Sequence, residues 1–379
     1  MIVAVKQIKW YSMFMKKVII ASLLIAATFV LGGCSLFEKD IETSSTIPQN
    51  ILDNQFGFLG GGPDEDEFIE DFEYTWSRPH PGPFLWDEIQ DSAYADFDFG
   101  NVDKEVKKLQ NEDLGILATI WPFADWDQES RPECKVSDND EFLPKFFGPG
   151  RYLPHYRCNP TDWQAYQSWI TTMVERYDGD GIDDMPNLRY PIKHWEVMNE
   201  PDLQPDETAR LQFYRETAND YADLLIKTSQ YIKQADSEAQ VLIAGASGGN
   251  NDFLDFWRKV FNNKSVAASF DIANVHCISN DSYESYNVDP YLKMLTEFGL
   301  ENKPIWVTEA EAMVHEIAEK NEQQTIESTE NALELGAKKI FYTTHHFEPK
   351  LFGNEEPKPG EFIDDNNKGI DNLKNINSY

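Results

Sequence analysis

Short apolar runs alternate with longer segments of helical period from about residue 54 to residue 348, and no shift in composition divides them. That alternation constrains the fold more than any single motif. Parallel strands need a crossover of a dozen or more residues between them, and helices in those crossovers bury both sheet faces. The predicted strands are Gln55–Leu59, Phe72–Arg78, Ile116–Trp121, the run from His194, Val241–Ala246, Phe270–Cys277, Pro304–Ala310 and Lys339–Thr344. Between them, Val102, Val106, Leu109 and Leu114 mark one helix face, with Gly115 as its C-terminal stop. Thr161-Asp162 caps a helix whose Trp163, Tyr166, Trp169, Ile170, Met173 and Val174 recur at three and four. A long helix carries Leu211, Tyr214, Ala218, Tyr221, Leu225 and Ile232 on one side, and further helices are predicted near 252–261, 290–298 and 322–335. Eight strand-then-helix units predict a single α/β domain, a (β/α)8 TIM barrel over residues 54–348. The polar tail, 349–379, leaves the eighth helix short or missing.

Two of these strands end on acids. His194-Trp-Glu-Val-Met-Asn-Glu-Pro201 rises into Asn199-Glu200-Pro201, where the proline, lacking an amide hydrogen, stops the ladder. Roughly 110 residues later Pro304-Ile-Trp-Val-Thr-Glu-Ala310 ends near Glu309. In a (β/α)8 barrel functional groups gather at the C-terminal ends of the strands, so Glu200 and Glu309 are expected to meet across one cleft. Two carboxyl groups whose environments split their pKa values suit the cleavage of a glycosidic bond. One delivers a proton to the leaving oxygen, and the other places negative charge beside the developing oxocarbenium ion. No Cys or His spacing suggests a metal site, and this chemistry calls for no cofactor.

Trp195-Glu-Val-Met-Asn-Glu-Pro201 and Ile305-Trp-Val-Thr-Glu309 resemble the fourth- and seventh-strand motifs of clan A retaining glycoside hydrolases, of the family 39 and family 5 type. The likeness spans about residues 54–348. It implies that Glu200 is the acid/base, Glu309 the nucleophile and Asn199 the amide that binds a sugar 2-hydroxyl. It also implies that Arg78, ending the second strand, keeps Glu309 ionised, and that His276 stands near the nucleophile. Trp121 is a candidate floor for the sugar by stacking, or a core residue. His80, among prolines, is a candidate substrate contact. Glu311 is a rival nucleophile, and Glu196, within its strand, reads as structural. The clan often ends its eighth strand on a tryptophan, whereas His345-His346 stands there in this chain. Two other readings stay open from the residues alone: a surface lipoprotein that binds glycans without cleaving them, and a transglycosidase that uses the same residues.

The net charge of −33 disfavours nucleic acid and acidic polysaccharide, so the expected partner is a neutral carbohydrate and the expected state a monomer. Lys16-Lys17, the apolar run Val18–Val30 and Leu31-Gly-Gly-Cys34 resemble a bacterial lipoprotein signal. That resemblance implies removal of residues 1–33 and lipid on Cys34, which tethers the domain to an outer membrane face or in the periplasm through residues 34–53. Removal takes away four lysines and no acids, leaving 29 basic against 66 acidic residues. Cys134 and Cys158 bracket a Pro-, Gly- and Asp-rich loop and are able to pair in an oxidising compartment. Cys277 sits in an apolar run and reads as a buried thiol.

Overall fold

The computed structural model describes residues 46–60, 73–136, 153–204, 211–277, 284–310 and 318–343. Eight parallel strands run through them: β1 (Phe56–Leu59), β2 (Trp76–Arg78), β3 (Gly115–Ile120), β4 (His194–Val197), β5 (Gln240–Ile243), β6 (Ala273–Cys277), β7 (Ile305–Ala310) and β8 (Ala337–Thr343). Their spatial order is β5-β4-β3-β2-β1-β8-β7-β6. The ring closes between β5 and β6 through bridges Leu242–Ile272 and Ala246–Val275, where His276 N donates to Ala246 O at 2.8 Å. Each strand lies beside its sequence neighbours, as a (β/α)8 barrel requires.

The helices are α1 (Gln49–Asp53), α2 (Trp86–Ile89), α3 (Gly100–Asn111), α4 (Asp125–Gln128), α5 (Trp163–Tyr177), α6 (Ala218–Ala235), α7 (Asn251–Asn262), α8 (Val288–Glu297) and α9 (Ala318–Glu334). Asp162 caps α5 by accepting from the amides of Gln164 and Ala165. Thr217 and Asp220 form a reciprocal capping box that starts α6. Leu211 and Tyr214, expected on the long helix, therefore precede it as irregular chain, although both are buried. Gly299 takes φ +70° just past α8, the left-handed conformation that ends a helix at little steric cost. Among the described residues no helix is long and apolar enough to cross a membrane.

Gly115 does not end α3. Asp113 takes the left-handed turn, with φ 59°, and Gly115 opens β3. A Cβ at Gly115 would lie 2.6 Å from Ile51 Cγ2, so close packing against α1 explains the glycine. That contact also corrects the expected tether. Residues 46–53 belong to the barrel, not to a linker: Ile47 and Ile51 join Trp76, Leu117, Trp306 and Phe341 in a cluster at the N-terminal end of the strands. Trp76 Nε1 donates to Ile51 O at 2.7 Å, while Lys339 Nζ donates to Leu52 O and Asn54 O at 3.0 and 2.6 Å. Strand β2 starts only at Trp76. Cys34 and its surrounding signal, Glu311, His345-His346 and the tail from residue 349 lie outside the described residues, as does any eighth helix after β8.

Candidate active site

Arg78, the last residue of β2, is fully buried at the strands' C-terminal ends. Its guanidinium donates from Nε to Glu196 Oε2, from one terminal nitrogen to Glu309 Oε1 and from the other to Asn199 Oδ1, each at 2.7 Å. The planar fork therefore fixes three acceptors from β4, its following turn and β7 in one geometry. Past Val197 the backbone leaves the ladder, with Met198 at φ 72° and Glu200 at φ 40°. Positive φ at non-glycine residues costs conformational energy and tends to occur where a side chain must be aimed. Here the turn brings both Asn199 and Glu200 inward, where they are almost fully buried.

The opposite wall comes from β6 and β7. A register shift between Val275 and His276 pairs His276 with Glu309 across these strands. His276 Nδ1 stands 2.9 Å from Glu200 Oε1 and 3.7 Å from Glu309 Oε2, and Nε2 stands 2.8 Å from Thr308 Oγ1. One oxygen of each carboxyl and a ring nitrogen of His276 all lie within 4.8 Å of one another. Such a donor set resembles a metal site, yet the guanidinium already holds Glu309 and supplies the positive charge, so the chemistry it fits best is proton transfer.

Burial raises the Glu200 carboxyl to about 8, with Glu196 adding to the effect and Arg78 opposing it. Burial also raises Glu309 above the ordinary carboxylate range, with Glu200 adding to the effect, but Arg78 pulls it back through its charge and its hydrogen bond. The guanidinium touches Glu309 and not Glu200, so Glu309 is the acid that ionises first. Burial lowers His276 to about 4, and its ring is neutral near neutral pH.

The structure brings Glu200, Glu309, Asn199, Arg78 and His276 together at one rim. His80 also stands there, with Nδ1 3.9 Å from Glu309 Oε1. Trp121 does not floor the site. Its ring is fully buried against Phe213, Phe123 and His80, and Nε1 donates to Pro81 O. No ring face remains for a sugar, and Trp121 instead supports the loop that carries His80. Cys134 and Cys158 are bonded, with S–S 2.09 Å and Cα–Cα 5.4 Å, and Cys277 is a buried thiol.

Three further residues escaped the sequence reading. Asn274 donates to Glu196 Oε1 at 2.6 Å, and Thr308 donates to Asn274 Oδ1 at 2.9 Å. Both lie inside apolar strands at alternate positions from His276 and Trp306, and that two-residue period was the available signal, since it aims them into the barrel. Asp202, two residues past Glu200, accepts from Ser247 N at 3.0 Å, Ser247 Oγ at 2.8 Å and Trp257 Nε1 at 2.9 Å. It ties the Glu200 turn to the end of β5 and to α7.

A pair of buried acids at the C-terminal rim of a closed parallel barrel, split by one guanidinium, is an arrangement suited to glycoside hydrolysis. The chain belongs to the glycosyl hydrolase catalytic core family, whose model matches residues 125–340. Its fold is similar to that of a glucosidase from Croceicoccus marinus (TM-score 0.57, 13% identity, covering 86% of this chain and 67% of that one). It is also similar to a family 39 β-xylosidase from Caulobacter crescentus (TM-score 0.54, 13% identity, covering 89% and 73%). A family 39 glycoside hydrolase from Bacteroides cellulosilyticus WH2 matches with TM-score 0.51 and 15% identity, covering 86% of this chain and 64% of that one, so this chain spans less than two thirds of its length. A sequence comparison with curated proteins finds no match.

Proposed function

We propose that the protein is a retaining glycosidase that cleaves a neutral oligo- or polysaccharide outside the cytoplasm, tethered to a membrane by lipid on Cys34. The observation that carries the mechanism is the separation of the acids. Oxygens of Glu200 and Glu309 lie within 4.8 Å of each other. Retaining enzymes hold their carboxyls about 5–5.5 Å apart, whereas inverting ones need roughly 6.5–9.5 Å to admit a water.

In this reading Glu200 starts protonated, as its raised pKa of about 8 requires of an acid at neutral pH. It gives its proton to the leaving oxygen while ionised Glu309 attacks the anomeric carbon, and a covalent glycosyl-enzyme forms. Glu200, now a base, takes a proton from water, which displaces Glu309 and restores the starting configuration. Asn199 presents an Nδ2 donor that is buried and has no partner among the described residues, while Arg78 fixes its oxygen. Such a donor suits a sugar hydroxyl beside the reacting carbon. His80 is the substrate contact from the β2 loop.

Glu309→Gly tests the nucleophile. The variant is expected to lose turnover on an activated aryl glycoside by about a thousandfold or more, and added azide is expected to restore it as a glycosyl azide of inverted configuration. Retention of activity in that variant, without rescue, would defeat the assignment.

A further inference from the structure

We propose that Glu196, acting through Asn274, Thr308 and His276, holds Glu200 in its acid form by fixing which ring nitrogen of His276 carries the hydrogen. The proposal rests on the reading of Glu200 as the general acid, and it deepens that reading by naming what keeps the proton there.

The hydrogens can be followed from the one fixed donor. Arg78 Nε and Thr119 Oγ1 both donate to Glu196 Oε2, at 2.7 and 2.6 Å. A carboxylate so paired accepts only, so Asn274 must turn its Nδ2 toward Glu196 Oε1, where it donates at 2.6 Å. The amide oxygen of Asn274 then faces Thr308, which must donate its single hydroxyl hydrogen at 2.9 Å. The alternative acceptor for that hydrogen, Glu196 Oε1 at 3.4 Å, lies in the same direction. With its hydrogen committed, Thr308 Oγ1 can only accept from His276 Nε2, 2.8 Å away. A neutral imidazole with its hydrogen on Nε2 leaves Nδ1 bare. That bare nitrogen is the atom 2.9 Å from Glu200 Oε1, so the bond between them needs a hydrogen from Glu200. Asn287 Nδ2 donates to the His276 carbonyl at 2.8 Å and anchors the residue's backbone.

The charged and titratable groups facing Glu200 are Arg78 from β2, Glu196 from β4, His276 from β6, Glu309 from β7 and Asp202 from its own turn, with His80 beyond Glu309. Arg78 favours the ionised form and the other carboxyls oppose it. The His276 tautomer acts in the same sense as those carboxyls, and it acts through a directed bond. Thr308 and His276 are positioning residues here, since neither exchanges a proton with the substrate.

Nitrogen NMR of the full chain labelled with ¹⁵N-histidine reads the tautomer directly. Near neutral pH His276 is expected to show a protonated Nε2 and an unprotonated Nδ1; the reverse pattern overturns the proposal. Thr308→Val removes the acceptor and frees the ring to turn its hydrogen toward Glu200, which favours the carboxylate. The basic limb of kcat/KM is then expected to fall by about one pH unit. Turnover of a phenyl glycoside, which needs acid assistance, is expected to drop about tenfold or more near neutral pH, and that of a dinitrophenyl glycoside to change little. Thr308→Ser, which keeps the hydroxyl, is expected to restore the limb. Equal losses on both substrates with an unmoved limb would overturn the proposal. If Thr308→Val does not fold, the nitrogen spectrum of the wild-type chain still decides. Failure of azide rescue in Glu309→Gly would sink the retaining mechanism and leave that spectrum unaffected, so the two readings fail separately.

Discussion

Arg78 and His276 divide the two acids between them: the guanidinium donates to Glu309 and the imidazole bonds Glu200. That division has a consequence for stability as well as for rate. Burial raises Glu200 from 4.5 to about 8, so the folded protein binds this proton more tightly than the unfolded chain does. The favourable contribution is complete below about 4.5 and is lost as pH rises through about 8. Glu200→Gln keeps the shape and a donor toward His276 but does not titrate. Its melting temperature is expected to gain on that of the wild type as pH rises across this window, while its activity on phenyl glycosides falls by about a hundredfold or more. A difference in melting temperature that stays flat from pH 5 to pH 8 would show that Glu200 is not the group whose proton is held. Glu200 and Glu309 were legible because each stands at the tip of an apolar run, where a carboxyl has no reason to sit for packing alone, whereas the roles of Asn199, Arg78 and His276 came only from the resemblance of the motifs around them. Trp121 also ends such a run, and of its two readings, sugar platform or core residue, the structure holds the second. Phe213, ninety-two positions away in sequence, covers its ring, and nothing local announces a contact of that kind.

Strands β5 and β6 come together at a point that admits no side chain. A Cβ on Gly245 would lie 2.0 Å from His276 Nε2 and 2.2 Å from Cδ2, far inside contact distance. The ring cannot swing away cheaply, because Glu200 and Thr308 hold its two nitrogens and Asn287 holds the backbone. Gly245→Ala is therefore expected to destabilise the fold by about 1–3 kcal/mol through overpacking. It is also expected to lower kcat/KM on phenyl glycosides more than on dinitrophenyl glycosides, which differential scanning calorimetry and the two assays together can check. Unchanged activity and stability would mean that the ring is not confined there. The alternation of strands and helices was readable along the chain, since periods of two and 3.6 residues differ sharply. The ends of elements were not. Asp113 takes the turn expected at Gly115, and Gly115 answers to Ile51 instead, a tertiary contact that overrides local preference. The capping box at Thr217 likewise shortened α6 at its start.

The whole chain carries 33 basic and 66 acidic residues, a balance that bears on how it meets a membrane. Cytoplasmic-type polybasic attachment draws about 1 kcal/mol from each lysine or arginine near anionic lipid, and a body this acidic is repelled by the same surface. The described residues contain no helix able to cross a bilayer, and α1 buries Ile51 against one end of the barrel while Leu52 stays exposed. The candidate for membrane association is the N-terminal segment that resembles a lipoprotein signal. If Cys34 carries lipid, the attachment is hydrophobic, and one acyl chain gives only marginal binding whereas two hold firmly. The full-length protein is expected to pellet with membranes, to stay there through a wash in about 1 M salt, where the Debye length is near 3 Å, and to incorporate labelled fatty acid. Cys34→Ala is expected to lose the label, with aryl-glycosidase activity unchanged, because the proposed chemistry belongs to Glu200 and Glu309. Release of the wild type by salt would point to electrostatic attachment, and an unlabelled wild-type chain that still pellets would replace the lipid anchor with an uncleaved apolar segment.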